Sequence, residues 1–426
     1  MASCFRRWEP RVQAKKYVRA LMSDLPRKNC WTIAEHAGDQ TPGKMQHLLE
    51  RAKWDTTAAM ASVRAFVCNR LDDGDAVAVL DESGQEKKGT ATIGVKRQYV
   101  GCAGRISNAI NVVYCTFTTK AGHALVGARL YLPAEQAADP DRRTQTQVPE
   151  QVTFATKPEL GRQILADLHT EDRLPAWVTG DEVYGACPRL RAWLETPEVD
   201  TGYVLAISKS TPIAFSGDTK VRADSALKML TASRWSIDSC GAGSKGERRY
   251  AWAWIATADP RRHLLLRRSL TPNTKGIHEV AFYLCFVPQG RPVTLRTLIT
   301  IAGRRWPVEE DFQTGKDAFG LDHSQVRTYP ALLRHLVLTM AALAVCAITA
   351  AHSRTTTSTP PPTSPTDVPP TDPGLIPLTV PEVKRLVNLL TRHWHGLEHH
   401  LHWHIWRRRH QARARWFHQR TRLTRQ

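Results

Sequence analysis

The segment AVAVLD, residues 76–81, decides the fold of this chain. It is a short, continuous apolar run that ends in a carboxylate, Asp81, and such a run is typical of a buried central strand. The same arrangement occurs in PAWVTGDEVYG, residues 175–185, where an apolar segment ends in Asp181. The two segments predict a sheet at whose carboxyl edge Asp81 and Asp181 converge.

A third carboxylate lies in GRRWPVEEDFQTGKDAFGLDHSQVR, residues 303–327. Pro307 predicts the first turn of a helix, which places Glu309 near a helix N-terminus, where an anion is favoured. Lys316 follows seven residues later, within about 20° of two full turns, so it shares the face of Glu309. Arg305 lies at or just outside the helix start. The alternative for this segment is a solvent-exposed helix with ion pairs between successive turns.

Three converging carboxylates permit phosphodiester cleavage by a two-metal mechanism. Mg²⁺ prefers carboxylate oxygens and keeps several waters, so two or three acids are enough. Two ions roughly 3.5–4 Å apart activate the attacking oxygen and stabilise the departing one. Acids this close together repel one another, and we therefore expect raised carboxylate pKa values in the absence of metal.

The composition favours a partner with negative charge. The chain has 426 residues with 59 Lys and Arg against 40 Asp and Glu, a net charge of +19, which attracts nucleic acid foremost and anionic membrane as the lesser possibility. Nine cysteines without a C-x-x-C pair argue against a disulfide framework and a cysteine zinc site, and they fit a reducing cytoplasm. We predict no signal peptide. The apolar run 336–351 is short for a membrane span of ~20 residues, and we interpret it as a core helix.

The first 72 residues have a helical pattern rich in Lys and Arg. Residues 31–54 resemble two helices around a turn, with Gly38 and Asp39 ending the first, Thr41 as N-cap and Pro42 as the first residue of the second. A DNA-binding helix-turn-helix and an ordinary helical hairpin both fit this pattern. The dispersed basic residues favour contact with DNA.

The C-terminal tail, residues 379–426, contains 11 Lys and Arg against two acids, together with eight of the 17 histidines. Its segment WRRRHQARARWFHQRTR, residues 406–422, predicts a basic helix that contacts phosphates, with Arg407, Arg408 and Arg409 as candidate DNA contacts. No cysteine or carboxylate cluster accompanies the histidines, which disfavours a specific metal site there.

Several motifs together resemble those of bacterial insertion-sequence transposases of the DDE class. Arg305, Glu309 and Lys316 match the R-x(3)-E-x(6)-K core of the family's Y-x(2)-R-x(3)-E-x(6)-K signature, and GLD follows at 320–322. The other segments that resemble the family, in chain order, are VLDESGQEKKG (79–89), GVKRQYVGCAGRISN (94–108), WVTGDEVYG (177–185) and WRRRHQARAR (406–415). The resemblance covers roughly residues 15–350 and the tail.

The resemblance implies an α/β fold of RNase H-like type, a mixed sheet flanked by helices, with a β-rich insertion before the last catalytic helix and a helical N-terminal DNA-binding domain. It implies cut-and-paste transposition with Mg²⁺, or Mn²⁺ as a substitute, in which nicking, hairpin formation, hairpin opening and strand transfer use one active site. Asp81, Asp181 and Glu309 are then the catalytic metal ligands, and Arg305 and Lys316 bind phosphate at the transposon end.

The expected partners are double-stranded DNA, as terminal inverted repeats and target, and a second copy of the chain in a synaptic complex. The expected location is the bacterial cytoplasm at the nucleoid, without a membrane. We divide the chain into a helical DNA-binding domain (1–72), the first part of the catalytic core (73–202), a β-rich insertion (203–290), the second part of the core (291–352), a Pro/Thr-rich linker (353–378) and a basic helical DNA-binding tail (379–426).

The chain departs from the signature at one position, because Ala302 stands where the family has Tyr. A weaker grip on the DNA backbone is the expected consequence. Trp306 could stack on an extruded base, as in hairpin-forming relatives, or it could be a core residue at the start of the helix.

Four further charged residues lie next to the motifs. We expect Glu82 and Glu310 to point away from the presumed ligands, since adjacent residues on a strand or helix face different directions, and each is an alternative to the neighbouring ligand. Lys87 and Lys88 either contact DNA or are solvated. Two other functions stay open for the whole chain: a domesticated, catalytically silent DNA-binding relative and a structure-selective nuclease on the same fold.

Overall fold

A computed structural model of the protein describes residues 1–101, 104–217, 219–243, 246–353, 368, 375–391 and 394–423. The predicted Pro/Thr-rich linker, 353–378, lies almost entirely outside the described residues. The boundaries of the predicted domains stay predictions.

The described residues form fourteen α-helices and twelve strands. The helices are α1 (Trp8–Leu21), α2 (Cys30–His36), α3 (Gly43–Glu50), α4 (Thr56–Leu71), α5 (Ala134–Ala138), α6 (Pro140–Gln145), α7 (Lys157–Thr170), α8 (Glu182–Gly185), α9 (Pro188–Leu194), α10 (Leu295–Gly303), α11 (Trp306–Phe319), α12 (Tyr329–His352), α13 (Val380–Thr391) and α14 (Leu397–Leu423). The strands are β1 (Val77–Glu86), β2 (Lys96–Val100), β3 (Arg105–Thr118), β4 (His123–Leu130), β5 (Trp177–Gly180), β6 (Gly202–Ile207), β7 (Pro212–Ser216), β8 (Thr219–Arg222), β9 (Ser236–Gly243), β10 (Gly246–Ala256), β11 (Arg262–Arg268) and β12 (Val280–Phe286).

The main sheet has ten strands, in the order β2-β3-β1-β5-β6-β12-β11-β10-β9, with β4 also paired to β3. The central strand β1 is antiparallel to β3 and parallel to β5, and β5 is parallel to β6. Helices flank this sheet, so the predicted α/β class with a mixed sheet is confirmed. The apolar first half of β1, residues 77–80, and the whole of β5 are buried, as the sequence pattern indicated, because neighbouring elements cover both faces of these central strands.

The strands of the predicted insertion continue the main sheet. β6, whose second residue is the predicted boundary at 203, pairs with β5 on one side and with β12 on the other. β11, β10 and β9 follow in antiparallel order, and β7 and β8 form a separate hairpin. The region therefore packs as an extension of the core sheet with its own apolar layer against α10.

The N-terminal domain contains the predicted pair of helices, α2 and α3. Asn29 caps α2 by accepting hydrogen bonds from the backbone N–H groups of Trp31 and Thr32. The second helix begins at Gly43, with Pro42 at the N-cap position, one residue later than predicted. Thr41 still contributes, because its Oγ1 accepts a 3.4 Å hydrogen bond from the Gly43 N–H.

Helix α12 is the long apolar helix of the core. Of the helices in the described ranges, it is the one long and apolar enough to cross a membrane, and 83% of its most apolar window is buried inside the protein. It packs against α1, α3, α4 and β4. The structure thus agrees with the interpretation of 336–351 as a core helix.

The first half of α14 is anchored on the N-terminal helical pair. The Trp403 side chain is fully buried, and its Nε1 donates a 2.9 Å hydrogen bond to the Asp39 carbonyl. The guanidinium of Arg407 forms a two-pronged ion pair with Glu35. This placement disfavours the predicted phosphate contact of Arg407, because a carboxylate already neutralises it, whereas Arg408 and Arg409 are exposed.

Candidate active site

The pairing of β1 with β5 brings the two aspartates together. Leu80 lies opposite Gly180 in the parallel register, so Asp81 and Asp181 both follow the last paired residues. Asp181 is the N-cap of α8, and its side chain accepts a 2.9 Å hydrogen bond from the Val183 N–H. The predicted convergence of the two aspartates is present. The predicted strand end at Asp81 is wrong, because β1 continues to Glu86 through its pairing with β3.

Helix α11 presents the third acid. Pro307 lies in the first turn, as predicted, and Glu309 follows within that turn. Arg305 is the N-cap residue, and its Nη2 lies 3.0 Å from Asp81 Oδ2 and 3.8 Å from Glu309 Oε1. The guanidinium therefore stands between the two carboxylates.

Gly303 sets the position of this helix start. A Cβ added to Gly303 would lie 1.9 Å from the Cys240 carbonyl oxygen of β9, so no side chain is tolerated without moving the backbone. The close approach holds the end of α10 against the extended sheet. The orientation of Arg305, two residues later, depends on that contact.

Five predicted site residues line one half-open cavity of about 940 Å³. They are Asp81, Asp181, Trp306, Glu309 and Lys316. The other charged residues that line the same cavity are Glu82, Lys157, Glu310 and Asp317. The helical spacing of Glu309 and Lys316 thus places both on the face that borders the two strand ends.

Lys87 and Lys88 do not line this cavity. The Nζ of Lys87 donates a 2.6 Å hydrogen bond to the Ser324 carbonyl in the loop between α11 and α12. Burial lowers the pKa of Lys87 to about 8. Lys87 therefore connects the end of β1 to that loop, which disagrees with the alternative of a solvated side chain. Contact of Lys87 with DNA stays a prediction. Lys88 is exposed.

Trp306 is 40% exposed at the mouth of the cavity. Its Nε1 donates a 3.1 Å hydrogen bond to Glu310, and the Arg248 guanidinium lies 5.3 Å from its ring centroid. The exposed ring disagrees with the alternative of a core tryptophan. It leaves an aromatic surface available for stacking beside the acids.

Glu82 does not point away from the acids, which corrects the sequence-based expectation. One oxygen each of Asp81, Glu82 and Asp181 lies within 4.8 Å of the others. Neighbouring residues of a strand do face opposite sides of the sheet. Asp181, however, lies beyond the end of β5, where side chains from either face of β1 can reach it. Glu310, in contrast, bonds to Trp306 and His123 instead of the acids.

The acids outnumber the cations that contact them. Burial raises the pKa of Asp81 to about 7, with Arg305 lowering it and Asp181 and Glu309 raising it further. Burial and the neighbouring Glu82 also raise the pKa of Asp181, against the effect of Arg305. The expected raised pKa values are thus present. A set of crowded carboxylate oxygens fits a divalent cation of the kind that prefers oxygen ligands.

A buried ion pair that sequence analysis missed fixes the other face of α11. Asp311 is 2% exposed and accepts hydrogen bonds from Thr116 Oγ1 at 3.0 Å and from His123 Nδ1 at 2.9 Å. Burial alone would lower the pKa of His123, but Asp311 and Glu310 outweigh it and raise that pKa to about 10. No local pattern around His123 indicates this partnership.

Replacing His123 by Gln should lower the free energy of unfolding by about 3 kcal/mol at pH 6, because Asp311 is left charged and buried. The folded pKa of His123 exceeds its unfolded value of about 6.5. Its contribution is therefore complete below pH 6.5 and is lost as the pH rises through about 10. Chemical denaturation at pH 6 and pH 10 tests this, with exposed His404→Gln as control. An equal deficit at both pH values would contradict the ion pair.

Comparison with known proteins agrees with this architecture. Residues 1–224 match the family model described as DDE superfamily endonuclease, and residues 144–345 match the model described as transposase DDE domain. The chain is 24% identical over 327 residues to a protein of Microchaete diplosiphon named probable transposase for insertion sequence element IS701. That alignment covers 75% of this chain and 78% of the relative.

The first family model covers more than half of the chain and includes both aspartates, and the second includes Asp181 and helix α11. Enzymes of this superfamily use divalent metals, which agrees with the crowded acids at the carboxyl edge of the sheet. The mixed sheet is consistent with the RNase H-like fold that the resemblance implied. The chain belongs to the DDE superfamily of endonucleases, as a transposase of the insertion-sequence type.

Proposed function

We propose that the protein excises and inserts its element by cut-and-paste transposition, with Mg²⁺ as cofactor and hairpin ends as intermediates. The observation that carries the proposal is one cavity lined by Asp81, Asp181, Glu309 and Lys316, with the Arg305 guanidinium in contact with Asp81. Acids and cations alternate there, as a site for metal and phosphate together requires.

Asp81, Asp181 and Glu309 would hold Mg²⁺, with Mn²⁺ as a substitute. The bound metal supplies activation of the attacking oxygen and stabilisation of the departing one. The chain's own contribution is to collect the acids in one cavity, where the raised pKa values of Asp81 and Asp181 favour exchange of protons for metal. Until a metal ion binds, Arg305 would offset the repulsion between Asp81 and Glu309, because its guanidinium contacts both carboxylates.

Lys316 and Arg305 would hold the phosphates of the DNA strand on either side of the acids. Lys316 lies two helical turns beyond Glu309 and lines the same cavity, so a strand that follows α11 passes all three side chains. Trp306 offers a ring face for a base that leaves the stack. Ala302 stands where the family signature has Tyr, so no phenol is available at this position. We therefore still expect weaker binding to the DNA backbone there.

The proposed partners are terminal inverted repeats, target DNA and a second copy of the chain. The net charge of +19 supports the first two, and the exposed arginines of the second half of α14 are available for phosphate. Two ends must be joined in one complex, which is the reason for expecting a dimer. A cytoplasmic location at the nucleoid remains a prediction.

The direct test uses a duplex that carries the terminal inverted repeat of the element and its flanking DNA. With Mg²⁺ or Mn²⁺ we expect cleavage at the repeat boundary, together with a product that runs as a covalently closed hairpin on a denaturing gel. With EDTA we expect binding without cleavage. Cleavage without any closed product would contradict hairpin intermediates but would still agree with transposase activity.

The same assay separates the two alternatives. A domesticated relative would bind the repeat without cutting it, although all three acids are present. A structure-selective nuclease would cut branched DNA of any sequence as readily as the repeat. No feature of the described residues favours either alternative over transposition.

A further inference from the structure

We propose that Glu82 is a fourth carboxylate of the cation site and that Lys157 is its resident counter-ion, which competes with the divalent metal. The proposal rests on the proposed function, since it concerns the same cavity. Sequence spacing assigns no role to either residue.

The first argument is distance. Oxygens of Asp81, Glu82 and Asp181 lie within 4.8 Å of one another. Two oxygens that bind one ion at about 2.1–2.4 Å are at most about 4–5 Å apart. Glu82 thus satisfies the spacing of a shared ligand. Glu309 is not part of this group of oxygens within 4.8 Å, and it lies 3.8 Å from Arg305.

The second argument is orientation. The Glu82 side chain is held by an ion pair with Lys157 Nζ and by a 3.3 Å hydrogen bond from the Tyr184 hydroxyl. The Glu82 side chain is 19% exposed, that of Lys157 26%, and Tyr184 is fully buried. Lys157 is the first residue of α7, so that helix positions the ammonium group. These contacts hold the Glu82 carboxylate beside Asp81 and Asp181, with little exposure to bulk solvent.

The third argument is charge. The four acids Asp81, Glu82, Asp181 and Glu309 are contacted by two cations, Arg305 and Lys157. Among the residues that the structure describes, Asp181 has no cation within 4 Å, and its hydrogen bonds come from backbone N–H groups. The acids therefore outnumber the cations that contact them, and a divalent cation would offset the excess negative charge.

These contacts give Glu82 and Lys157 effects of opposite sign. Loss of Glu82 removes a ligand oxygen and a negative charge, so metal affinity should fall. Loss of Lys157 frees Glu82 from its competing cation, so metal affinity should rise. An ion pair that only stabilised the fold would give no rise in affinity for either change.

The experiment is a calorimetric titration of Mn²⁺ into the full-length protein without DNA. We expect Glu82→Gln to weaken binding about 10-fold and Lys157→Gln to tighten it several-fold. The double variant should match Glu82→Gln, because Lys157 acts through Glu82. Asp317→Asn is the matched control, since this exposed acid lines the same cavity and has no assigned role.

Thermal unfolding and DNA binding in EDTA check that each variant is folded. If Glu82→Gln binds Mn²⁺ like Asp317→Asn, or if Lys157→Gln weakens binding, the proposal is overturned. If Asp81→Asn loses Mn²⁺ while Glu82→Gln keeps it, the proposal alone fails and the proposed function stands. A wild-type protein without affinity for Mn²⁺ would instead refute the proposed function.

Discussion

Asp81→Asn should abolish cleavage of a transposon-end duplex, by about 10³-fold or more, while leaving binding of that duplex in EDTA unchanged. Asn keeps the shape of the side chain but loses the charge that a divalent cation requires. Binding should persist because Asp81 is 6% exposed and faces Arg305, so it makes no favourable contact with phosphate. Single-turnover cleavage rates and gel-shift affinities measure the two effects separately.

Asp317→Asn is the control for this substitution. It makes the same chemical change in the same cavity at an exposed position with no assigned role. We expect its cleavage rate to stay within about 2-fold of the wild type, a difference of less than 1 kcal/mol. An equal loss of cleavage and of EDTA binding in Asp81→Asn would contradict a role as metal ligand.

Replacing the exposed arginines in the second half of α14 by Gln should weaken DNA binding regardless of sequence. The residues are Arg413, Arg415, Arg420 and Arg422. Each phosphate contact contributes about 0.9 to the slope of log affinity against log salt concentration, so loss of all four should lower that slope by up to about 3.6. Affinities measured between 50 and 200 mM salt, with specific and random duplexes, provide the test.

Arg407→Gln is the contrasting variant. Because Arg407 is paired with Glu35, its loss should loosen the contact between α14 and α2 and leave the salt slope unchanged. An unchanged slope in the fourfold variant would mean that the tail does not contact phosphate. Removing all of 379–426 is a poorer test than the sequence alone suggested, since Val383 and Trp403 are buried and the deletion would expose the core beneath them.

Local sequence patterns were sufficient to predict those parts of the site that depend on a single strand or helix. Apolar runs that stop at Asp81 and Asp181 predicted two buried strands and the meeting of their acids, and the parallel pairing of β1 with β5 brings these acids together. They did not predict that β1 continues beyond Asp81 to Glu86, which depends on its pairing with the distant strand β3. Helical spacing was sufficient for Glu309 and Lys316, because a regular helix converts sequence separation directly into direction.

Partnerships between distant charges needed the tertiary structure. Glu82 is joined to Lys157, and Asp311 to His123, across 75 and 188 residues, and no periodicity carries such information. Lys87 and Arg407 were predicted as possible DNA contacts, yet each forms a contact with a distant residue of the protein, Ser324 and Glu35 respectively.

The sequence by itself determined the order of elements, the aspartates that follow the two apolar runs, and the face of α11 that carries Glu309 and Lys316. Only the tertiary structure decided which neighbouring charges join those acids and which serve the fold. The physical reason is that secondary structure follows from interactions between residues close in the chain, whereas the free energy of a charge depends on its burial and on partners that folding brings from elsewhere.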